Sequence, residues 1–82
     1  MFSLYQNKTT IKKGTVMTFG QHIRKIRKTN NLNQTELGDI LGVSQITICG
    51  WERYGKIPDI EMICKIVKKF DAPFEELFED YF

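Results

Sequence analysis

The sequence has few of the residues from which metal sites and disulfide frameworks are built. Its 82 residues include two cysteines, Cys49 and Cys64, and one histidine, His22. Three such widely spaced residues do not form a structural zinc site, and two free thiols in a reducing cytoplasm are the expected state of the cysteines. We therefore expect neither a metal nor a cofactor.

Long hydrophobic runs are also missing. No apolar run approaches the roughly 20 residues that cross a membrane, and residues 1–16 lack the apolar core of a signal peptide. The hydrophobic share of 41% is ordinary for a globular protein. We expect one small cytoplasmic domain without membrane contact, whose marginal stability a partner subunit would support.

Acidic residues are absent from the first 35 positions, which carry seven basic ones: Lys8, Lys12, Lys13, Arg24, Lys25, Arg27 and Lys28. Residues 71–82 show the opposite bias, with no base and five acids: Asp71, Glu75, Glu76, Glu79 and Asp80. A chain polarised in this way can present a basic face to a polyanion. The alternative is two solvated faces that attract each other.

Catalytic motifs are scarce. The segment from Gly50 to Lys56 matches the first seven positions of a phosphate-binding loop, but Ile57 follows where the motif needs Ser or Thr to hold magnesium. His22 has no Asp, Ser or Cys partner at a telling spacing and is predicted to be a surface residue of a helix. We expect no enzyme and no small-molecule substrate.

Periodic apolar residues predict five helices after a basic N-terminal arm at residues 1–17, which would be flexible or form a short strand. Thr18 and Asn33 are predicted N-caps of the first two helices, with capping-box partners Gln21 and Glu36, and Ser44 is the predicted N-cap of the third. Asp59 or Ile60 begins the fourth helix, and Pro73 fits the first turn of the fifth. The predicted inward side chains are, helix by helix, Phe19, Ile23 and Ile26; Leu37, Ile40 and Leu41; Ile48 and Trp51; and Ile63, Ile66, Val67 and Phe70.

The stretch from Gln34 to Glu52 contains two short amphipathic helices joined at Gly42, a residue that tolerates positive φ. Gly38 lies on the side where the two helices should cross, and a residue without a side chain allows close approach. Neither helix is long enough to be stable alone, so they must pack together. This is the layout of a helix-turn-helix, whose second helix can enter the DNA major groove.

Leu32-Asn33-Gln34-Thr35-Glu36-Leu37 through Trp51-Glu52-Arg53 resembles the Cro and phage-repressor helix-turn-helix family, often called Xre-type. The resemblance extends from Phe19 to Phe78. It implies an all-α, compact five-helix bundle like that of the lambda repressor, with residues 18–82 as the DNA-binding domain. It also implies a transcriptional regulator, predicted here to be a repressor that binds a palindromic operator as a homodimer.

The resemblance implies a set of DNA contacts as well. Gln34 would anchor on a phosphate, and Gln45 would be the first base-reading residue, since glutamine can pair with adenine through two hydrogen bonds. Ile46 could contact a thymine methyl group, whereas Cys49 and Gly50 are poor base readers. The full predicted DNA-binding set is Arg27, Gln34, Ser44, Gln45, Ile46, Thr47, Cys49, Gly50, Arg53 and Lys56. The alternative for each is an ordinary surface position.

Arg27 and Glu52 match a family pair that bridges the first and third helices. The sequence departs from the family at two positions, because an alanine is usual where Gly38 stands and a glycine is usual where Tyr54 stands. The second departure, with Gly55 one residue later, predicts an altered exit from the third helix.

The C-terminal residues Phe74, Leu77, Phe78, Tyr81 and Phe82 recur at the spacing of one continuous helical stripe. We expect part of this stripe to close the core. Leu77, Phe78, Tyr81 and Phe82 are predicted to form a two-fold dimer interface, and closure of the monomer's own core is the alternative. The second candidate function is an antitoxin or adaptor that uses this apolar helix to bind another protein.

Overall fold

The computed structural model describes residues 16–82, and their architecture is all-helical. Most of the arm predicted at residues 1–17, including its possible strand, lies outside the described residues. The helices are α1 Phe19–Thr29, α2 Gln34–Leu41, α3 Gln45–Arg53, α4 Ile60–Phe70 and α5 Phe74–Leu77, followed by a 3₁₀ turn at Glu79–Tyr81. The predicted five-helix fold is confirmed. Within the described part, every helix is too short or too polar to cross a membrane.

The helix starts lie where the capping residues predict them. The side chains of Thr18 and Asn33 accept hydrogen bonds from the N–H groups three residues later, and both capping boxes are complete. Ser44 and Asp59 cap α3 and α4 in the same way, without a reciprocal partner. Each such cap stabilises a helix by about 1 kcal/mol, which matters for helices as short as these.

The core lies between α1, the helix-turn-helix pair, α4 and the C-terminal segment. Its buried apolar members are Phe19, Ile23, Leu37, Leu41, Ile48, Trp51, Ile63, Ile66, Leu77 and Phe78. Phe19 is central, because its ring stacks on Phe78 at 5.0 Å and meets Trp51 edge-on at 6.3 Å. Ile40 was predicted to face inward, and this is wrong. Its side chain is 39% exposed, because it lies at the edge of the inward face that Leu37 and Leu41 form.

Two glycines permit close helix crossings. A Cβ atom on Gly38 would lie 2.5 Å from the carbonyl oxygen of Val43, so α2 and the turn approach too closely for any side chain. Gly20 in α1 packs in the same way against the backbone of Trp51 and Glu52 in α3. Gly42 takes a left-handed conformation, with φ of +80°, and ends α2 as predicted.

The C-terminal segment differs from the predicted continuous helix. The four-residue α5 ends at Leu77, and the chain leaves helical geometry at Phe78 (φ −116°, ψ 31°) before the 3₁₀ turn. Leu77 and Phe78 are 1% and 8% exposed in the single chain. Their assignment to a dimer interface is therefore wrong, because the monomer's own core already buries them. Tyr81 and Phe82 are exposed.

His22 was predicted to be a surface residue and is instead buried. It is 5% exposed, and its Nε2 lies 2.7 Å from Oε2 of Glu79. The same carboxylate oxygen accepts the backbone N–H of Met17 at 3.1 Å. These contacts attach the 3₁₀ turn to α1 and to the residues that precede it.

Candidate nucleic-acid interface

The outer face of α3 begins at the Ser44 cap and carries an exposed apolar side chain in its first turn. Ile46 is 77% exposed, while Gln45 and Arg53 are exposed polar neighbours on the same helix. Ile48 and Trp51 point the other way, into the core, as predicted. Single exposed apolar side chains are normal on protein surfaces, so the exposure of Ile46 gains meaning only from its position beside Gln45 on this face.

A buried ion pair fixes α3 against α1. Arg27 donates from Nε to Oε2 of Glu52 at 2.8 Å and from Nη2 to Oε1 at 3.0 Å, a two-point geometry that sets the orientation of both side chains. Its Nη1 donates to the carbonyl oxygen of Leu32 at 3.1 Å, just before α2. The predicted bridge between the first and third helices is confirmed, and it reaches the start of α2 as well.

The protonation states of this pair favour its charged form. The hydrogen bond to Glu52 raises the pKa of Arg27 above its ordinary value, outweighing the opposite effect of burial. Burial by itself raises the pKa of Glu52, but hydrogen bonds from Arg27 and Gln34 and the nearby positive charges outweigh it and leave the pKa below its ordinary value. The pair therefore carries its two charges at neutral pH.

The ion pair continues outward as a chain of side-chain hydrogen bonds. Gln34, at the first position of α2, donates from Nε2 to Oε1 of Glu52 at 3.1 Å. Its Oε1 accepts the amide of Gln45, the first residue of α3, at 2.6 Å. The structure thus brings together two predicted contact residues, Gln34 and Gln45, and connects both to the buried pair.

Other predicted contact residues at the start of α3 form hydrogen bonds within the helix or are partly buried. Ser44 caps the N–H of Thr47, and their two hydroxyl groups lie 3.1 Å apart. Thr47 and Cys49 are half-buried, so less of their surface is available than the sequence predicts. Arg27 is only 9% exposed, and its role in the structure is to hold Glu52.

The exit of α3 is altered in the direction that the sequence predicts. Tyr54 ends the helix with a negative φ of −112°, and the left-handed residue is Gly55, with φ of +72°. The carbonyl oxygen of Gly50 accepts the N–H groups of both Tyr54 and Lys56, at 3.1 and 3.2 Å. Gly50 was predicted to belong to the DNA-binding set, and it is buried because the side chain of Lys56 covers it.

One residue that positions the interface was not among the predicted ones. Gly20 was not identified, although it lets α1 reach the backbone of α3 beside Glu52. The available signal was its place inside a helix, where glycine costs about 1 kcal/mol relative to alanine and so suggests a steric reason.

Known proteins resemble this chain in sequence and in fold. The helix-turn-helix family profile matches residues 23–77. The transcriptional repressor RstR of the cryptic phage CTXphi from Vibrio cholerae is 32% identical over 62 residues, which are 76% of this chain and 56% of RstR. The chain thus spans little more than half the length of this relative.

Two solved structures have a similar fold. The P22 c2 repressor, crystallised with synthetic operator 9T, superposes with a TM-score of 0.70 at 30% identity, covering 77% of this chain and 96% of that one. The restriction-modification controller protein C.AhdI from Aeromonas hydrophila gives a TM-score of 0.62 at 30% identity, with coverage of 73% and 87%. The matched proteins are repressors and a controller protein rather than enzymes, and the chain belongs to the Cro/phage-repressor (Xre-type) helix-turn-helix family of transcriptional regulators.

Proposed function

We propose that this protein binds a palindromic DNA operator as a homodimer and represses transcription. Its α3 would enter the major groove, with the start of the helix reading the bases. The observation that carries this proposal is the hydrogen-bonded pair of Gln34 and Gln45, held at the outer end of a network that begins at a buried ion pair. A restrained glutamine loses less side-chain entropy when it binds an adenine edge.

The two ends of this pair have different proposed partners. Gln34 lies at the N-terminus of α2, where free N–H groups and the helix dipole favour a phosphate. Gln45 and the exposed Ile46 would face base edges, with Ile46 against a thymine methyl group. The contacts proposed for Ser44, Thr47, Arg53 and Lys56 are to phosphates, and Arg53 could also reach a guanine.

Specificity should rest on the first turn of α3. Gly50 has no side chain, and Cys49 is half-buried, so the second turn offers little direct base reading. The remaining discrimination would come from the shape and flexibility of the operator.

Selection of bound sequences from a random DNA pool tests this function most directly. We expect enrichment of a palindrome whose half-sites are centred about 34 Å apart, one turn of B-DNA. If each subunit neutralises about four phosphates, the logarithm of the affinity should fall with the logarithm of salt concentration with a slope of about −7. Lack of enrichment, or a slope near zero, would contradict the proposal.

A second candidate function is an antitoxin or adaptor that binds another protein. Its support is the exposed aromatic surface of Tyr81 and Phe82, which are 67% and 82% exposed. A toxin-like reading frame beside the gene would favour it. Tight operator binding by the isolated chain, with no protein recovered in a pull-down, would reject it.

A further inference from the structure

We propose that Gly50 is a positioning residue: its missing side chain provides the surface on which Lys56 lies, and this packing directs the Lys56 ammonium to a DNA phosphate. This inference rests on the proposed DNA-binding function and deepens it. It assigns a role to a position of α3 that is itself a poor base reader.

Gly50 lies four residues after Ile46 and therefore on the same, outer face of α3. A side chain there would point away from the core, yet Gly50 is buried. The covering atoms belong to Lys56: a Cβ atom on Gly50 would lie 3.3 Å from its Cδ and 3.9 Å from its Cβ and Cγ. The aliphatic part of Lys56 thus occupies the place where a second-turn recognition side chain would stand.

The backbone holds Lys56 at the same place. Its N–H donates to the carbonyl oxygen of Gly50 at 3.2 Å, and the left-handed Gly55 makes the turn that this bond requires. Both the backbone and the aliphatic side chain of Lys56 are therefore held against Gly50. A lysine held in this way loses less conformational entropy when its ammonium binds an anion.

The Lys56 ammonium is available for such a bond. Among residues 16–82, the ion pairs are those of His22 with Glu79 and Arg27 with Glu52, and neither includes Lys56. An ammonium is a compact point charge that suits a phosphate oxygen, whereas reading a base edge needs fixed directions. We therefore assign Lys56 to the phosphate backbone next to the groove that α3 enters.

Gly50→Ala separates positioning from stability because it should weaken operator binding without lowering the melting temperature. Alanine is the better helix former, and the lysine can move aside, so the melting temperature should stay the same or rise. The displaced lysine should nevertheless weaken operator binding. If the added methyl group instead met the DNA directly, its effect would persist in a protein that lacks the Lys56 side chain.

The test measures operator affinity against salt for the parent, Gly50→Ala, Lys56→Ala and the double variant. Lys56→Ala should bind roughly eightfold more weakly per protomer at 0.1 M salt and reduce the salt slope by about 0.9 per protomer, the value of one phosphate contact. Gly50→Ala should change both quantities in the same direction by no more than this. The double variant should match Lys56→Ala, since the glycine acts through the lysine. Lys68→Ala, which removes an exposed lysine of α4, is the charge-matched control and should leave the slope unchanged.

Four results would overturn the inference. These are parental affinity in Gly50→Ala, additive losses in the double variant, a lower melting temperature that accounts for the weaker binding, and an effect of Lys56 confined to one base position. In each of these cases the parent still binds its operator and the proposed function stands. If the parent selects no operator, the proposed function fails and the inference fails with it.

Discussion

Helix α3, the proposed recognition helix, and the C-terminal segment both pack on α1, but with different polar and apolar contacts. In addition to the apolar packing of Trp51 on Phe19, α3 has the two-point ion pair of Arg27 and Glu52. The C-terminal segment has the stacking of Phe78 on Phe19 and a one-point contact of Glu79 with His22. A two-point ion pair is directional and sets the orientation of a helix, while aromatic burial is less directional and contributes mainly stability. We infer that the first attachment serves recognition and the second serves folding.

The strongest test of the comparison removes the aromatic attachment. Phe78→Ala should lower the free energy of unfolding by about 3–5 kcal/mol, because it leaves a cavity beside Phe19. That is a large part of the roughly 5–15 kcal/mol that stabilises a typical domain. Urea denaturation measures the loss. Phe82→Ala, at an exposed position of the same segment, is the control and should change stability by less than about 0.5 kcal/mol. Equal losses in the two variants would contradict the assigned core.

The directional attachment is tested by Glu52→Ala. Arg27 would remain poorly solvated without its partner, which should cost about 3 kcal/mol, near the lower limit for a buried pair because Arg27 keeps some solvent access. Operator binding should fall as well, since Gln34 loses its bond to Glu52 and no longer holds Gln45 in place. Melting temperature and affinity are measured on the same samples. An unchanged melting temperature would reject the structural part of this prediction.

The same pair predicts acid sensitivity. The pKa of Glu52 in the folded protein lies below its ordinary value of 4.5. Its stabilising contribution is therefore complete above about pH 4.5 and is lost as the pH falls through the lower, folded-state pKa. The free energy of unfolding of the parent should decrease across this range more steeply than that of Glu52→Gln. Parallel pH profiles for the two proteins would contradict the prediction.

The smallest effect on stability is expected at the end of the chain. The double substitution Tyr81→Glu and Phe82→Glu should change stability little, because both side chains are exposed. If these residues form the proposed dimer contact, the variant should sediment as a monomer and the parent as a dimer. If the variant has the same mass as the parent on ultracentrifugation, Tyr81 and Phe82 do not form the dimer interface.

Local signals in the sequence were sufficient for much of the fold. Thr18, Asn33 and Ser44 mark helix starts because a cap needs only a short polar side chain and an N–H group a few residues away. Gly42 marks the turn because its conformation excludes most other residues. The Arg27–Glu52 pair needed more, since it joins residues 25 apart, and only the family resemblance predicted it.

Contacts between distant segments could not be predicted from spacing. The stripe from Phe74 to Phe82 fits a continuous helix, but the chain there forms a short helix and a 3₁₀ turn. In this conformation Phe78 stacks on Phe19 and Glu79 bonds to His22. The partner of His22 lies 57 residues away, at a separation that has no sequence signature. The covering of Gly50 by Lys56 was missed for another reason, because helical periodicity says nothing about a loop that folds back.

The buried Trp51 has a practical consequence for experiments on this protein. It is the chain's single tryptophan, it is 5% exposed, and it lies on the inner face of α3 with its ring against Phe19. Its fluorescence therefore comes from one known place, between the recognition helix and the core. Emission should shift to longer wavelength when water reaches the indole ring, so the protein contains an intrinsic optical probe of whether α3 is docked.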